Sequence, residues 1–195
     1  FGATLIQDKL GYESNTNLKL SYSYIFNALG GKMGVGAQVG FLNKSIDFAK
    51  LNPLDPSDPI LVGGGKESDM AIDYGFGAYF VLPGDKGFVG LSSSQLAQTD
   101  VQLGGVLATP QLKRHYYLTG GYTFNLEQFP SFDFKPSILL KSDFGSWQAD
   151  LNLLAVYNNR IWGGVSYRAF DAAVIMFGMH PFTTGKLAPL KFGYA

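Results

Sequence analysis

Histidine offers acid–base or metal chemistry near neutral pH, and this chain has two, His115 and His180. Neither stands in a pattern that supports such chemistry. There is no His-x-His or His-x-x-x-His pair, cysteine is absent, and no Ser-His-Asp order is recognisable. His115 is flanked by Arg114, Tyr116 and Tyr117, which is typical of a polar interfacial position. The chain is therefore predicted not to be an enzyme and to hold no metal or cofactor.

Two loop motifs give weaker indications of ligand binding. The segment Gly63-Gly64-Gly65-Lys66 is similar to a phosphate-binding loop, but Ile60 stands where the first glycine is needed, and Glu67 replaces the required Ser or Thr. Asp55 and Asp58, set between prolines, offer two carboxylates to Ca²⁺, although proline-stiffened acidic loops without an ion are commoner. We expect no ligand at either loop.

A third set of polar residues shares one parity along the predicted strands. Its members are Lys19, Asp73, Lys135, Lys141, Asp150, Asn152 and Arg168. Successive side chains of a strand point to opposite faces, so these residues are predicted to line one polar, inward face. They form either a recognition surface for a peptide or plug, or an internal salt-bridge network that fills the interior. The network is favoured, because polar filling is the ordinary state of such interiors.

The elements that position these residues follow from a two-residue rhythm, seen for example in residues 17–24 and 148–153. About ten strands are predicted, joined as an antiparallel meander without helices. They cover residues 17–26, 33–44, 70–82, 87–93, 113–125, 134–141, 147–157, 161–169, 172–180 and 187–195. Before them, residues 1–6 are interpreted as the tail of a strand and residues 7–16 as a polar loop. Asn158-Asn159-Arg160 predicts a hairpin turn, because Asn tolerates positive φ.

Overall composition narrows the class of protein. Charged residues make up 15% of the chain, against roughly a quarter in average soluble domains, while aromatic residues reach 15%. Net charge is zero and no basic stripe is present, so a nucleic-acid partner is not expected. No apolar run approaches the roughly 18 residues of a membrane helix. Strands with one ring-rich apolar face and one polar face fit a transmembrane β-barrel with lipid outside and a polar interior.

Loop lengths and aromatic positions also favour a membrane. The long predicted loops, residues 45–69 and 94–112, fall at the same end of the meander, and connections at the other end are short. The predicted outward rings cluster near strand ends, as in interfacial girdles. They are Tyr22, Phe26, Tyr74, Phe80, Tyr116, Phe124, Trp147, Tyr157 and Tyr167. The alternative is a soluble lipocalin-like or sandwich protein, in which the same rings would pack a core.

Several segments, by their order and spacing together, carry a resemblance to a known family. They are residues 8–11 (DKLG), 20–24 (LSYSY), 114–122 (RHYYLTGGY), 135–141 (KPSILLK), 148–152 (QADLN), 157–168 (YNNRIWGGVSYR) and 191–195 (KFGYA). The chain resembles the PorP/SprF family of outer-membrane proteins from Bacteroidetes. The resemblance implies an antiparallel up-and-down barrel of about fourteen strands. Residues 1–195 are then expected to be a single barrel domain that is incomplete at both ends.

The same resemblance implies a place in the type IX secretion and gliding-motility machinery of the bacterial outer membrane. The expected partners are outer-membrane lipid, periplasmic ring components and, for some members, a secreted adhesin or a substrate with a carboxyl-terminal signal domain. A passive solute porin is the alternative with the same architecture. An outer-membrane lipase or protease barrel is a remote third, because the two histidines have no catalytic partners.

Overall fold

A computed structural model describes residues 1–50, 65–100, 112–181 and 190–195 of the chain. These residues form strands, turns and two single-turn 3₁₀ helices, Phe48–Lys50 and Pro83–Asp85. The strands are β1 (Gly2–Leu10), β2 (Glu13–Ala28), β3 (Gly31–Asp47), β4 (Lys66–Val81), β5 (Gly87–Ser94), β6 (His115–Tyr122), β7 (Phe124–Asn125), β8 (Phe132–Ser142), β9 (Trp147–Tyr157), β10 (Ile161–Arg168), β11 (Ala172–Met179) and β12 (Phe192–Tyr194).

The described strands pair in the order of the chain. The path runs β1-β2-β3-β4-β5-β6-β8-β9-β10-β11-β12, and the two-residue β7 pairs with β8 beside it. Consecutive strands that pair antiparallel make an up-and-down meander. The predicted fold class, an all-β sheet of the kind that forms transmembrane barrels, is confirmed. The count of about fourteen strands, and the assignment of residues 1–195 to one domain, stay predictions.

The contacts within the chain divide it into two compact units. The first unit contains residues 1–24, 35–77 and 92–115, and the second contains residues 25–34, 78–91 and 116–195. In the first unit, β4 alternates sharply: Phe76 is 62% exposed, whereas Ala71 is fully buried and Asp73 is 9% exposed. Ala71 packs against Leu42, Ile46 and Leu112.

In the second unit, β9 shows the same pattern, in which apolar side chains are exposed and polar side chains are buried. Leu151 is 50% exposed, whereas its neighbour Asp150 is 7% exposed. On β10 the exposed side chains are likewise apolar, namely Ile161, Val165 and Tyr167. Water would penalise such faces, since exposing apolar area costs about 25 cal/mol per Å². This distribution favours lipid against the apolar face, and it disfavours a soluble sandwich in which these rings would form the core.

The predicted polar loop at residues 7–16 is wrong. β1 continues to Leu10 and β2 begins at Glu13, with Leu10 opposite Glu13, so only Gly11 and Tyr12 form the turn. Gly11 has a φ of 59°, a conformation that suits glycine at a tight turn. The side chains before and after this turn are polar on both faces, so they show no two-residue rhythm and were mistaken for a loop.

Three other predicted boundaries are also corrected. The predicted strand 113–125 is two strands, β6 and β7, separated at Thr123, whose N–H donates instead to the Lys86 carbonyl at 2.7 Å. The predicted loop 45–69 is shorter, because β3 extends to Asp47 and β4 starts at Lys66. Of the predicted strand 187–195, Phe192–Tyr194 is paired as β12. Asp55, Asp58, Ile60, Gly63 and Gly64 lie outside the described residues.

Candidate functional site

The register of β8, β9 and β10 brings polar residues of three strands onto one face. Asp150 on β9 stands directly opposite Arg168 on β10. Two residues further along β9, Asn152 stands between Ser137 of β8 and Ser166 of β10. Alternate residues of a strand share a face, so Asp150 and Asn152 project to the same side.

Asp150 is the centre of an ion network. Lys141 Nζ donates to Asp150 Oδ2 at 3.0 Å, and Arg168 Nε donates to Asp150 Oδ1 at 2.9 Å. Arg168 reaches a second carboxylate as well, with Nη1 at 3.4 Å from Asp171 Oδ2. Each oxygen of the buried carboxylate thus has a charged donor, as a buried anion requires.

The charges of this network balance. Two carboxylates, Asp150 and Asp171, face two cations, Lys141 and Arg168. Every charged group of this set therefore has a partner of opposite sign. What the network can do is join β8, β9 and β10 through side chains, in addition to their backbone ladder.

Lys19 and Asp73 belong to the first unit and lie on either side of Gly40. A Cβ at Gly40 would be 3.7 Å from Asp73 Cβ and 3.8 Å from Lys19 Cγ, so the glycine leaves these two side chains adjacent. The Gln95 N–H donates to Asp73 Oδ2 at 3.0 Å, while Asp73 Oδ1 is buried without a hydrogen-bond partner. Among the described residues, no ion pair joins Lys19 to Asp73.

Lys135 and Asn152 contribute to a different feature, a recess of about 420 Å³ in the second unit. Its walls include the rings of Tyr79, Phe88 and Tyr122. The seven predicted residues therefore fall into three groups: an ion network at Asp150, a pair flanking Gly40, and two residues at the recess. Their assignment to the interior of a barrel stays a prediction.

Sequence reasoning missed several charged residues with defined partners, among them Glu13, Lys44 and Asp171. Glu13 Oε1 lies 2.9 Å from Lys44 Nζ and also accepts from Asn15 Nδ2 at 2.8 Å. Glu13 was overlooked because it was placed in a loop, although its parity matches Lys19 on β2. Asp171 was overlooked because it lies in a turn, where only its spacing of three residues from Arg168 indicates a partner.

The two histidines make short-range polar contacts. His115 Nδ1 lies 2.7 Å from Gln95 Oε1 and 2.8 Å from the Lys113 carbonyl. His180 Nδ1 lies 3.2 Å from the Asn159 carbonyl. Within residues 1–50, 65–100, 112–181 and 190–195, no group of three His, Asp or Glu side chains has the arrangement of a metal site.

Comparison with known protein families identifies the chain's relatives. The model of the type IX secretion system membrane protein family PorP/SprF matches residues 1–195. The chain belongs to the PorP/SprF family. The resemblance noted from its sequence segments is thereby confirmed, and membership makes the protein a membrane component of a type IX secretion system. No curated protein matches the chain.

A PorP/SprF protein, as a membrane component, must present apolar side chains to lipid. This requirement explains why β4, β9 and β10 expose apolar side chains. In the described part of the chain, no helix is long and apolar enough to cross a bilayer.

Proposed function

We propose that this PorP/SprF protein is a non-enzymatic β-barrel of the bacterial outer membrane that anchors the type IX secretion and gliding machinery. Its mechanism is binding: the apolar band fixes the protein in lipid, while turns, loops and the polar face hold periplasmic ring proteins and a secreted substrate or adhesin. The single observation that carries the proposal is the exposure of apolar side chains beside buried charges, as in Leu151 and Asp150.

The ion network supports a scaffold rather than a catalyst. Lys141, Asp150, Arg168 and Asp171 neutralise one another, so the most buried charge of this face is used for structure. The polar face is also what a solute porin would need, and the two roles share one architecture. They differ in whether the interior conducts.

A pull-down in mild detergent tests the proposal. The full-length tagged protein is purified beside an equally tagged outer-membrane barrel from another family, and the co-purifying proteins are identified by mass spectrometry. Type IX ring components or an exported protein should be enriched with the PorP/SprF protein alone. The same preparation, placed in planar bilayers, should carry no steady ion current.

Two results would contradict the proposal. If the full-length protein stays soluble and monomeric without detergent, the membrane location is wrong. If it enriches no secretion component and conducts ions in bilayers, it is a porin.

A further inference from the structure

The recess in the second unit combines apolar walls with a lysine that forms no ion pair within the described part of the chain. It has a volume of about 420 Å³ and is lined mainly by aromatic and aliphatic side chains of β4, β5, β6, β8 and β9. Its polar lining includes Lys135, Ser137 and Asn152. Small-molecule sites have this character: an apolar concavity of a few hundred Å³ with a few polar groups that orient the ligand.

Glycines allow the rings of the recess to lie against backbone. A Cβ at Gly87 would come within 2.9 Å of the Tyr122 ring, and one at Gly121 within 2.7 Å of the Phe88 ring. Phe88 in turn stacks on Tyr79, with ring centroids 5.4 Å apart and an interplanar angle of 20°. Phe88 therefore lies against the backbone at Gly121 and against the Tyr79 ring, while Tyr79 and Tyr122 keep an exposed side.

Lys135 is the cation of this recess. It is partly buried, and among the described residues its ammonium has no ion pair, in contrast to Lys141 and Arg168, which share Asp150. Asp85, the carboxylate among the lining residues, makes no ion pair with it either. A half-buried lysine is stabilised by an anion that its ammonium can hydrogen-bond.

Polar donors stand beside that lysine. Ser137 and Asn152 are register partners on β8 and β9, so their side chains lie next to each other across the strand pair. Lys135 is two residues from Ser137 on the same face of β8. A hydroxyl and an amide can therefore add hydrogen bonds to an anionic group that Lys135 attracts.

We propose that this recess binds a small organic anion, a carboxylate attached to an aromatic or branched apolar group. The carboxylate binds Lys135, and the apolar part packs against Tyr79 and Phe88. The site is a property of the second unit alone, so it stands or falls separately from the secretion role.

The test uses the full-length protein in lipid nanodiscs and three probes: N-acetylphenylalanine, its carboxamide, and acetate. Reaction of Lys135 with an amine-selective acylating reagent is followed by mass spectrometry at increasing probe concentration. N-acetylphenylalanine should protect Lys135 saturably. The carboxamide lacks the charge and acetate lacks the apolar part, so each should protect at least about tenfold less well.

Variants separate this site from general effects. Lys135→Met should abolish saturable binding of N-acetylphenylalanine, measured by calorimetry, whereas Lys66→Gln, which removes a charge on the exposed end of β4, should not change it. Asn152→Leu keeps the lysine and should weaken binding several-fold. Equal protection by acid and carboxamide, or unchanged binding by Lys135→Met, would overturn the proposal. So would the absence of saturable protection of Lys135 by N-acetylphenylalanine.

Discussion

Replacement of Asp150 by Asn removes the charge at the centre of the ion network while keeping nearly the same shape. Lys141 and Arg168 then lose their shared anion, and the amide nitrogen of the new side chain cannot accept hydrogen bonds from either cation. The protein should therefore become less stable, chiefly because Lys141 loses its ion-pair partner and Arg168 keeps only its longer contact with Asp171.

The size of this loss follows from the exposure of the three side chains. Breaking a fully buried pair costs about 3–5 kcal/mol, whereas exposed pairs contribute roughly 0–1 kcal/mol. The Asp150 side chain is 10% exposed, but those of Lys141 and Arg168 are 29% and 42% exposed, so water screens both cations. The expected cost of Asp150→Asn is about 1–2 kcal/mol, which lies between these limits.

Urea titration of the protein in lipid vesicles measures this cost. Trp147 and Trp162 lie on β9 and β10, the two strands that Asp150 and Arg168 join, so their fluorescence follows unfolding of this region. Asp171→Asn is the matched control, since its side chain is 56% exposed and its contact with Arg168 is 3.4 Å long. That variant should leave the titration midpoint nearly unchanged.

The reasoning would be refuted if Asp150→Asn and Asp171→Asn shift the midpoint equally. A double-mutant cycle of Asp150→Asn with Lys141→Gln provides a second check. Because the two side chains are in contact, their effects should not add, and the double variant should be more stable than the sum of the single losses predicts.

Three further predictions use neighbouring residues as controls. Val165→Lys should lower the free energy of unfolding by about 2–4 kcal/mol in vesicle urea titrations if β10 turns this face to the middle of the bilayer. Ser166→Lys, on the opposite face, should lower it much less. Equal losses for the two variants would contradict the assigned faces. Gly164→Ala places a Cβ 2.8 Å from the Leu153 carbonyl and should lower the free energy of unfolding by about 1–3 kcal/mol. Gly163→Ala should be tolerated, because its Cβ would be 3.9 Å from the nearest atom. Thermal melting of both variants measures the difference. Phe170 is 93% exposed and has a φ of 63°, a conformation that glycine adopts more easily than phenylalanine. Phe170→Gly should therefore raise the free energy of unfolding by about 1 kcal/mol. A destabilised variant would show that the ring makes a stabilising contact.

The sequence alone determined the period of the strands and the side of each strand that is apolar. Alternation is local: neighbouring side chains such as Asp150 and Leu151 must point to opposite faces, whatever the rest of the chain does. The turn after β9 also follows from neighbouring residues alone, because Asn tolerates positive φ. Asn158 and Asn159 have φ values of 48° and 54°, as this prediction requires. Local rules failed where both faces are polar, which is why the strand ends around Gly11 and Tyr12 were predicted as a loop.

Tertiary structure decided which residues of the polar face meet. Seven residues share one parity, but parity does not say which residue of the next strand stands opposite, because register is set by turn length and by pairing between distant segments. In the folded chain, Asp150 stands opposite Arg168, whereas Lys135 stands opposite Leu154. Arg168 thus pairs with an anion, whereas Lys135 lines a recess with aromatic walls. This difference depends on contacts between strands and not on the residues of any one strand.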